Sequence, residues 1–376
     1  MDLRYSDDDE AFRAELRAWL ADELSKLGPP PTRDDWPARR RYDTDWQRLL
    51  FDAGYAGMGW PAEYGGRGAP PSQQLVYLEE TAAAGAPYVG VNFVGLLHAG
   101  PTLIAEGTPE HRAEHLPRIL CGDEVWCQGF SEPDAGSDLA SLRTKAVRDG
   151  DDYVVTGQKI WSSFAQVADV GELLVRTDPD APKHQGITWL IVPMDAPGLE
   201  IRPIETVLGS SEFCEVFLDD VRIPASNRVG DENDGWRVTN VTLSFERGTA
   251  FVSELVDARR LAPRLAELTT DPGHRRELGH VIAELDAQWA LTKRNVTQAD
   301  AGHQGAGAMM LKLAYSETRQ RLGELSLRVL GREALEVDAL VEERLRTLAL
   351  PIAAGTSQIQ RNIIGERVLG LPREPR

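Results

Sequence analysis

Two segments of this 376-residue chain are dense in hydroxyls, small side chains and glycines: GFSEPDAGSDLASLRTKA, Gly129–Ala146, and AAGTSQIQRNIIGERVLGLPREPR, Ala353–Arg376. They lie more than two hundred residues apart. Loops of that composition at the ends of apolar-periodic segments build a polar lining for a bound molecule, with hydroxyls and amides as hydrogen-bonding groups and glycines permitting close backbone approach. Other chemistry has weaker support. Cys121, Cys127 and Cys214 form no Cys-x-x-Cys pair and are odd in number, which predicts buried small side chains in a reducing compartment, not metal ligands or a catalytic thiol. The stretch Gly302–Gly307 has the glycines of a phosphate-binding loop but follows a helical pattern, not a strand, and reads as a linker.

The elements that must position these loops follow from periodicity. Ser6 with Asp9 forms a capping box ahead of Phe12, Leu16, Trp19 and Leu20, one face of a helix. Trp46, Leu49 and Leu50 mark a second helix, Trp60–Gly66 reads as a turn, and helical pattern returns from Ser72 to about Leu120 with Thr108 as N-cap before Pro109. Near Gly122 the pattern changes. Tyr153–Thr156, Leu173–Val175, Ile187–Val192 and Phe213–Leu218 are short β-rich runs separated by Gly, Pro and Asp, the spacing of a small barrel or of two packed sheets. From Trp236 the chain is helical again, with helices expected over 236–260, 275–301, 308–330 and 333–348, an antiparallel four-helix bundle. The expected fold is therefore α+β and multidomain: an N-terminal helical domain (1–121), a middle β-barrel domain (122–232) and a C-terminal four-helix bundle (233–376).

Composition bounds the partners. A hydrophobic content of 42% with 27% charged residues is that of a soluble globular protein. The net charge of −18 argues against sequence-independent nucleic-acid binding, which needs clustered cations. An acidic N-terminus without an apolar core, and no apolar run near ~18 residues, predict a cytoplasmic protein with no membrane span.

The first segment, the sequence GQKIWSS at Gly157–Ser163 and the C-terminal segment occur in an order that resembles the flavin-dependent acyl-CoA dehydrogenases over essentially the whole chain. The resemblance implies the helix, β-domain, helix architecture above, FAD as cofactor, an acyl-CoA substrate from fatty acid or steroid side-chain oxidation, electron-transfer flavoprotein as oxidant, and assembly as a tetramer. Oxidising an acyl thioester to its 2,3-enoyl form needs a carboxylate base for the α-proton, donors on the thioester carbonyl, and a flavin whose N5 takes the β-hydride. By resemblance, Gln128, Phe130 and Ser131 line the isoalloxazine, Trp161 packs against it, and Ser163 hydrogen-bonds near N5. Gly355, Thr356 and Gln358 approach the FAD pyrophosphate, and Ser137 contacts the CoA portion of the substrate. The thioester carbonyl falls to the flavin ribityl hydroxyl and the Ala354 backbone N–H.

The base is the sharper question. Many family members carry a glutamate before the C-terminal Gly-Thr, where this chain has Ala354. Another branch, similar to actinobacterial FadE-type enzymes, carries it on the first bundle helix directly before an arginine, and this chain has Phe245-Glu246-Arg247 at that place. Successive helical residues point about 100° apart, so Glu246 aimed at the substrate leaves Arg247 to steer polar groups beside it. Desolvation by an apolar acyl chain is expected to raise the pKa of such a base. Two departures open alternatives. Where relatives have Arg-x-x-Phe-Gly and Gln-x-x-Gly-Gly motifs that grip a neighbouring subunit's FAD, this chain has GHRRELG at 273–279 and RVLGR at 328–332. Arg275, Arg276 and Arg328 are the cations present there, equally suited to phosphate or to a plain surface. The chain thus fits a homotetramer, or a mixed tetramer in which it completes another subunit's FAD site; a flavin oxidase or monooxygenase using O2 would share the fold.

Overall fold

The computed structural model describes residues 4–300, 307–336 and 339–373, with the side chains at 245–251, 300 and 308–309 outside the description. Helices come first: α1 Asp7–Leu24, α2 Trp36–Asp52, α3 Pro71–Ala84, α4 Gly100–Glu106 and α5 Pro109–Cys121. Strands follow: β1 Trp126–Gly129, β2 Lys145–Asp149, β3 Asp152–Ser163, β4 Val170–Arg176, β5 Ile187–Pro193, β6 Leu199–Ile204, β7 Phe213–Pro224 and β8 Arg228–Val229. The remainder is helical: α6 Gly235–Leu268, α7 Pro272–Asp300, α8 Gly307–Leu330, α9 Ala339–Thr347 and α10 Ser357–Ile363.

The local signals explain the helix starts. The Ser6 hydroxyl accepts from the Asp9 N–H at 3.1 Å while the Asp9 carboxylate accepts from the Ser6 N–H at 3.0 Å, a reciprocal cap of the kind that stabilises a helix by about 1 kcal/mol. Phe12, Leu16 and Leu20 then form the buried face of α1. Thr108 caps α5 in the same way ahead of Pro109. The bundle departs from expectation at both ends. α6 continues through Pro263 to bury Ala262 and Leu265, eight residues past the expected stop at 260. The helix expected over 333–348 is instead a 3-10 turn, Gly331–Leu335, followed by the shorter α9. Gly331 at φ +57° ends α8, and the Glu336 N–H closes on the Glu333 carbonyl at 3.0 Å. The Gly302–Gly307 linker lies outside the described residues, save Gly307 at the start of α8.

The chain packs as two compact units, Met1–Leu27 with Ala69–Ala86 and Arg247–Arg376, and Gly28–Gly68 with Pro87–Glu246. In the first, α1 and α3 join the bundle, and one core gathers Leu75, Leu255, Leu265, Leu285, Trp289 and Leu325. In the second, eight strands form one sheet in the order β6-β7-β3-β2-β4-β5-β8, with β1 pairing parallel to β4. Inward side chains from β1 to β5 and β7 meet in a single cluster that includes Tyr153, Val155, Val175, Leu190, Val216 and Ile223, so the sheet folds over upon itself as an open barrel.

β3 is the longest strand together with β7, twelve residues each, and it carries the whole GQKIWSS sequence. Its pairing with β7 shifts register twice, between Val155 and Gly157 and between Lys159 and Ser162. Such bulges re-aim side chains, and the second one places Trp161.

Candidate active site

On the sheet, Lys159 and Ser162 are both fully buried while Trp161 between them is 56% exposed, its backbone at φ +63°. A bulky residue in the left-handed region costs on the order of 1 kcal/mol or more, so surrounding structure must hold it there. The Trp161 ring packs edge-on against Phe213, centroids 6.0 Å apart, and stays largely open. Ser163 follows, half-buried, and its hydroxyl makes no hydrogen bond among the described residues. Ser131 is likewise half-buried with an unengaged hydroxyl, and its carbonyl accepts from the Ile160 N–H at 3.0 Å, which ties the first hydroxyl segment to β3. Phe130 is buried, and Gln128 is half-buried on β1.

A buried ion pair fixes this arrangement. The Lys159 ammonium donates to a Glu132 carboxylate oxygen at 2.8 Å and to the Phe130 carbonyl at 3.2 Å. Glu132 accepts further from the N–H groups of Arg143, at 2.6 Å, and Thr144, at 2.9 Å. Burial pushes the Lys159 pKa down to about 8, against the pull of the Glu132 carboxylate. Burial pushes Glu132 up, but Lys159 and the hydrogen bonds outweigh it, and the carboxyl sits below its ordinary range. The loop between Glu132 and Thr144 is thereby closed at its neck. Ser137 lies on its exposed outer part, beside Asp138, which pairs with Lys183. Residues of the neck and of β3, among them Pro133, Ser141, Arg143 and Gln158, line a cleft of about 270 Å³.

The C-terminal loop belongs to the other unit. Ala354 at φ +52° and Gly355 at φ +87° are consecutive left-handed residues, the first against its own preference. The Ala354 N–H donates to no backbone carbonyl among the described residues. The loop's carbonyls are held from below: Gln360 Nε2 donates to Ala354 O at 3.3 Å, and the buried Lys312 ammonium donates to Gly355 O at 2.7 Å and Leu350 O at 3.0 Å. The Thr356 hydroxyl caps α10 by accepting from the Ile359 N–H at 3.2 Å, and Gln358, the second residue of α10, is exposed.

Glu246 and Arg247 lie on α6, and their side chains lie outside the described residues. Position 246 is one helical turn beyond Thr242 and two beyond Thr239, both fully buried; the Thr242 and Thr102 hydroxyls are hydrogen-bonded at 2.9 Å. The cysteines are buried and reduced, and burial drives the Cys127 thiol far up and Cys214 to about 11, which leaves them inert. Among the described residues, no three His, Cys, Asp or Glu side chains gather as a metal site, and no helix is long and apolar enough to cross a membrane.

Sequence reasoning missed the supports: Lys159, Glu132, Lys312 and Gln360. One signal was available, a lysine inside a strand whose alternating neighbours Tyr153 and Val155 face the core. On the sheet unit the residues present fit a flavin: two unengaged hydroxyls and an aromatic face held outward. Two of the cations at the altered motifs are already engaged, Arg328 with Glu277 and Arg275 with the Thr269 carbonyl at 2.8 Å.

Comparison with known proteins accounts for the arrangement. Models of the acyl-CoA dehydrogenase N-terminal, middle and C-terminal domains match residues 6–123, 127–221 and 233–369. The chain is 41% identical to the acyl-CoA dehydrogenase IpdE1 of Mycobacterium tuberculosis, over 98% of this chain and 99% of that protein. It is similar to a solved structure described as the Tcur3481-Tcur3483 steroid ACAD, at 33% identity and a TM-score of 0.86 covering 100% of both chains. It is also similar to the ChsE4-ChsE5 complex from Mycobacterium tuberculosis, at 34% identity and 0.83 over 99% of this chain and 100% of that one. With all three domain models matching in order, the chain belongs to the acyl-CoA dehydrogenase family, whose members are FAD-dependent oxidoreductases.

Proposed function

We propose that this chain catalyses α,β-dehydrogenation of an acyl-CoA thioester to the 2,3-enoyl-CoA, with Glu246 abstracting the α-proton. FAD, when bound, supplies the two-electron acceptor for the β-hydride, and electron-transfer flavoprotein is the expected final oxidant. Ser131 and Ser163 offer hydroxyls to the ring edge, Trp161 offers its face, and Thr356 and Gln358 serve the phosphates. The Ala354 N–H donates to the thioester carbonyl as enolate charge develops, a role independent of the side chain at that position. Ser137 holds the CoA portion, and Arg247 orients polar groups beside the base. The observation that carries this reading is the pair of half-buried, unengaged hydroxyls flanking an aromatic ring that the fold holds outward at a backbone cost.

The relatives direct the substrate choice to ring-bearing acyl groups. One similar structure is described as a steroid ACAD, and a 31% identical relative is the cyclohexane-1-carbonyl-CoA dehydrogenase of Geobacter metallireducens. Screening straight-chain, branched and steroidal CoA esters for anaerobic bleaching of the flavin band tests this. Glu246→Gln is expected to slow bleaching by about 10²- to 10⁴-fold with FAD still bound; bleaching at the wild-type rate removes Glu246 from the mechanism.

A second reading has its own support. The similar ChsE4-ChsE5 structure is a complex, and two of this chain's cations at the altered cross-subunit motifs, Arg275 and Arg328, are engaged internally. Assembly as a mixed tetramer with a related subunit fits both. A chain that purifies colourless and turns yellow only with a companion subunit supports this assembly; a yellow homotetramer that turns over removes it.

A further inference from the structure

We propose that Glu172 and His98 are positioning residues that lock the Gln128 carboxamide with its oxygen outward, so that Gln128 accepts from an N–H donor, the imide N3–H of a flavin's pyrimidine edge. The inference rests on the flavin reading above and deepens it.

The sheet sets the contact. β1 runs parallel to β4 with Gln128 directly opposite Glu172. Side chains paired in this way stand next to each other on one face of the sheet. Glu172 is fully buried, His98 is 3% exposed, and Gln128 is half-buried. Gln128 Nε2 lies 2.7 Å from Glu172 Oε1 and 3.2 Å from His98 Nδ1. A primary amide has two N–H donors, and these two partners take both. His98 is itself held, its ring edge-on to Phe93 with centroids 4.7 Å apart and its carbonyl accepting from the Thr102 hydroxyl at 2.8 Å. Accepting at Nδ1 places the imidazole proton on Nε2.

Reversing the amide would bring its oxygen to 2.7 Å from a carboxylate oxygen, two acceptors in contact inside the protein. That arrangement loses a charge-assisted hydrogen bond and adds repulsion in a low dielectric, so one orientation dominates. Gln128 Oε1 takes no hydrogen bond among the described residues, and the side chain is partly open. The amide therefore presents an acceptor and no donor. Ser131, three residues along, presents a hydroxyl that can donate or accept. An acceptor beside such a hydroxyl matches an imide, an N–H between two carbonyls, and this is the chemistry of the flavin pyrimidine edge.

The test compares binding of FAD and 3-methyl-FAD, whose N3 carries a methyl in place of hydrogen, to the full-length apoprotein by fluorescence titration. Wild type should prefer FAD by about 5- to 10-fold, the worth of one buried hydrogen bond. In Glu172→Gln the facing amide can donate or accept, the Gln128 carboxamide is free to reverse, and the preference should fall to about 1- to 2-fold. Gln128→Leu, at a half-buried position and so kinder to folding, should lose the preference equally. Glu172→Asp should restore part of it. Equal binding of both flavins by wild type overturns the proposal. So does a preference that persists in both Glu172→Gln and Gln128→Leu, since that would be the methyl group's bulk alone. A wild-type chain that binds neither flavin, alone or with a companion subunit, overturns this proposal and the flavin reading together.

Discussion

The segment around Ser131 and the C-terminal loop around Gly355 solve the same problem by different means. Each must hold a polar loop in place, and each does so with a buried lysine. Lys159 meets a carboxylate, and the Glu132 it neutralises goes on to clamp two further backbone N–H groups. Lys312 meets the carbonyls of Gly355 and Leu350. The first device is an ion pair serving as the knot of a network; the second is a cation solvated by the backbone it braces. Removing one partner of a buried ion pair leaves an uncompensated charge, whereas removing a cation from carbonyls leaves neutral acceptors short of a donor. The sheet segment should therefore be the more brittle of the two.

The comparison can be broken at several points. Glu132→Gln leaves the Lys159 ammonium buried and should destabilise the chain by about 3–5 kcal/mol, read by chemical denaturation. Lys312→Met should cost less, about 1–3 kcal/mol, and weaken FAD retention more than stability, since the carbonyls of Gly355 and Leu350 lose a donor. Equal losses in the two variants would end the distinction. The pH dependence sharpens it. Glu132 titrates below its ordinary range when folded, so the unfolded chain takes up a proton first as the pH falls. Its stabilisation is complete above the ordinary carboxylate pKa and is lost as the pH drops through the lower, folded value. Glu132→Gln should flatten that acid limb of the stability curve, and Lys312→Met should not. The smallest effect belongs to Ala354→Gly. Glycine adopts φ +52° without strain, and the gain, about 1 kcal/mol or less, should appear as a slightly raised Tm with the loop's N–H still in place.

Much of this was legible in the residues. The caps at Ser6 and Thr108 are local devices, decided within four residues, and they read directly. The hydroxyl-rich segments and the three-part architecture read from composition and order. Less visible were features decided by tertiary packing. β3 extends from Asp152 through Ser163 because β7 pairs along it, although glycine and lysine in its middle lower any β propensity. The 3-10 turn at Gly331–Leu335 interrupts what periodicity reads as one helix. Neither lysine announces its burial, since a charged side chain is taken for surface unless its partner is known, and Glu132 and Lys159 are 27 residues apart. Glu172 was equally hidden: only the parallel pairing of β1 with β4 puts it beside Gln128.

The extra residue in β3 between Lys159 and Ser162 decides which of two adjacent serines is open to its surroundings. Ser162 is fully enclosed and Ser163 is half-open. Straightening the strand at unchanged length would restore strict alternation from Lys159 and exchange the two, so the enclosed oxygen would surface and its neighbour would turn inward.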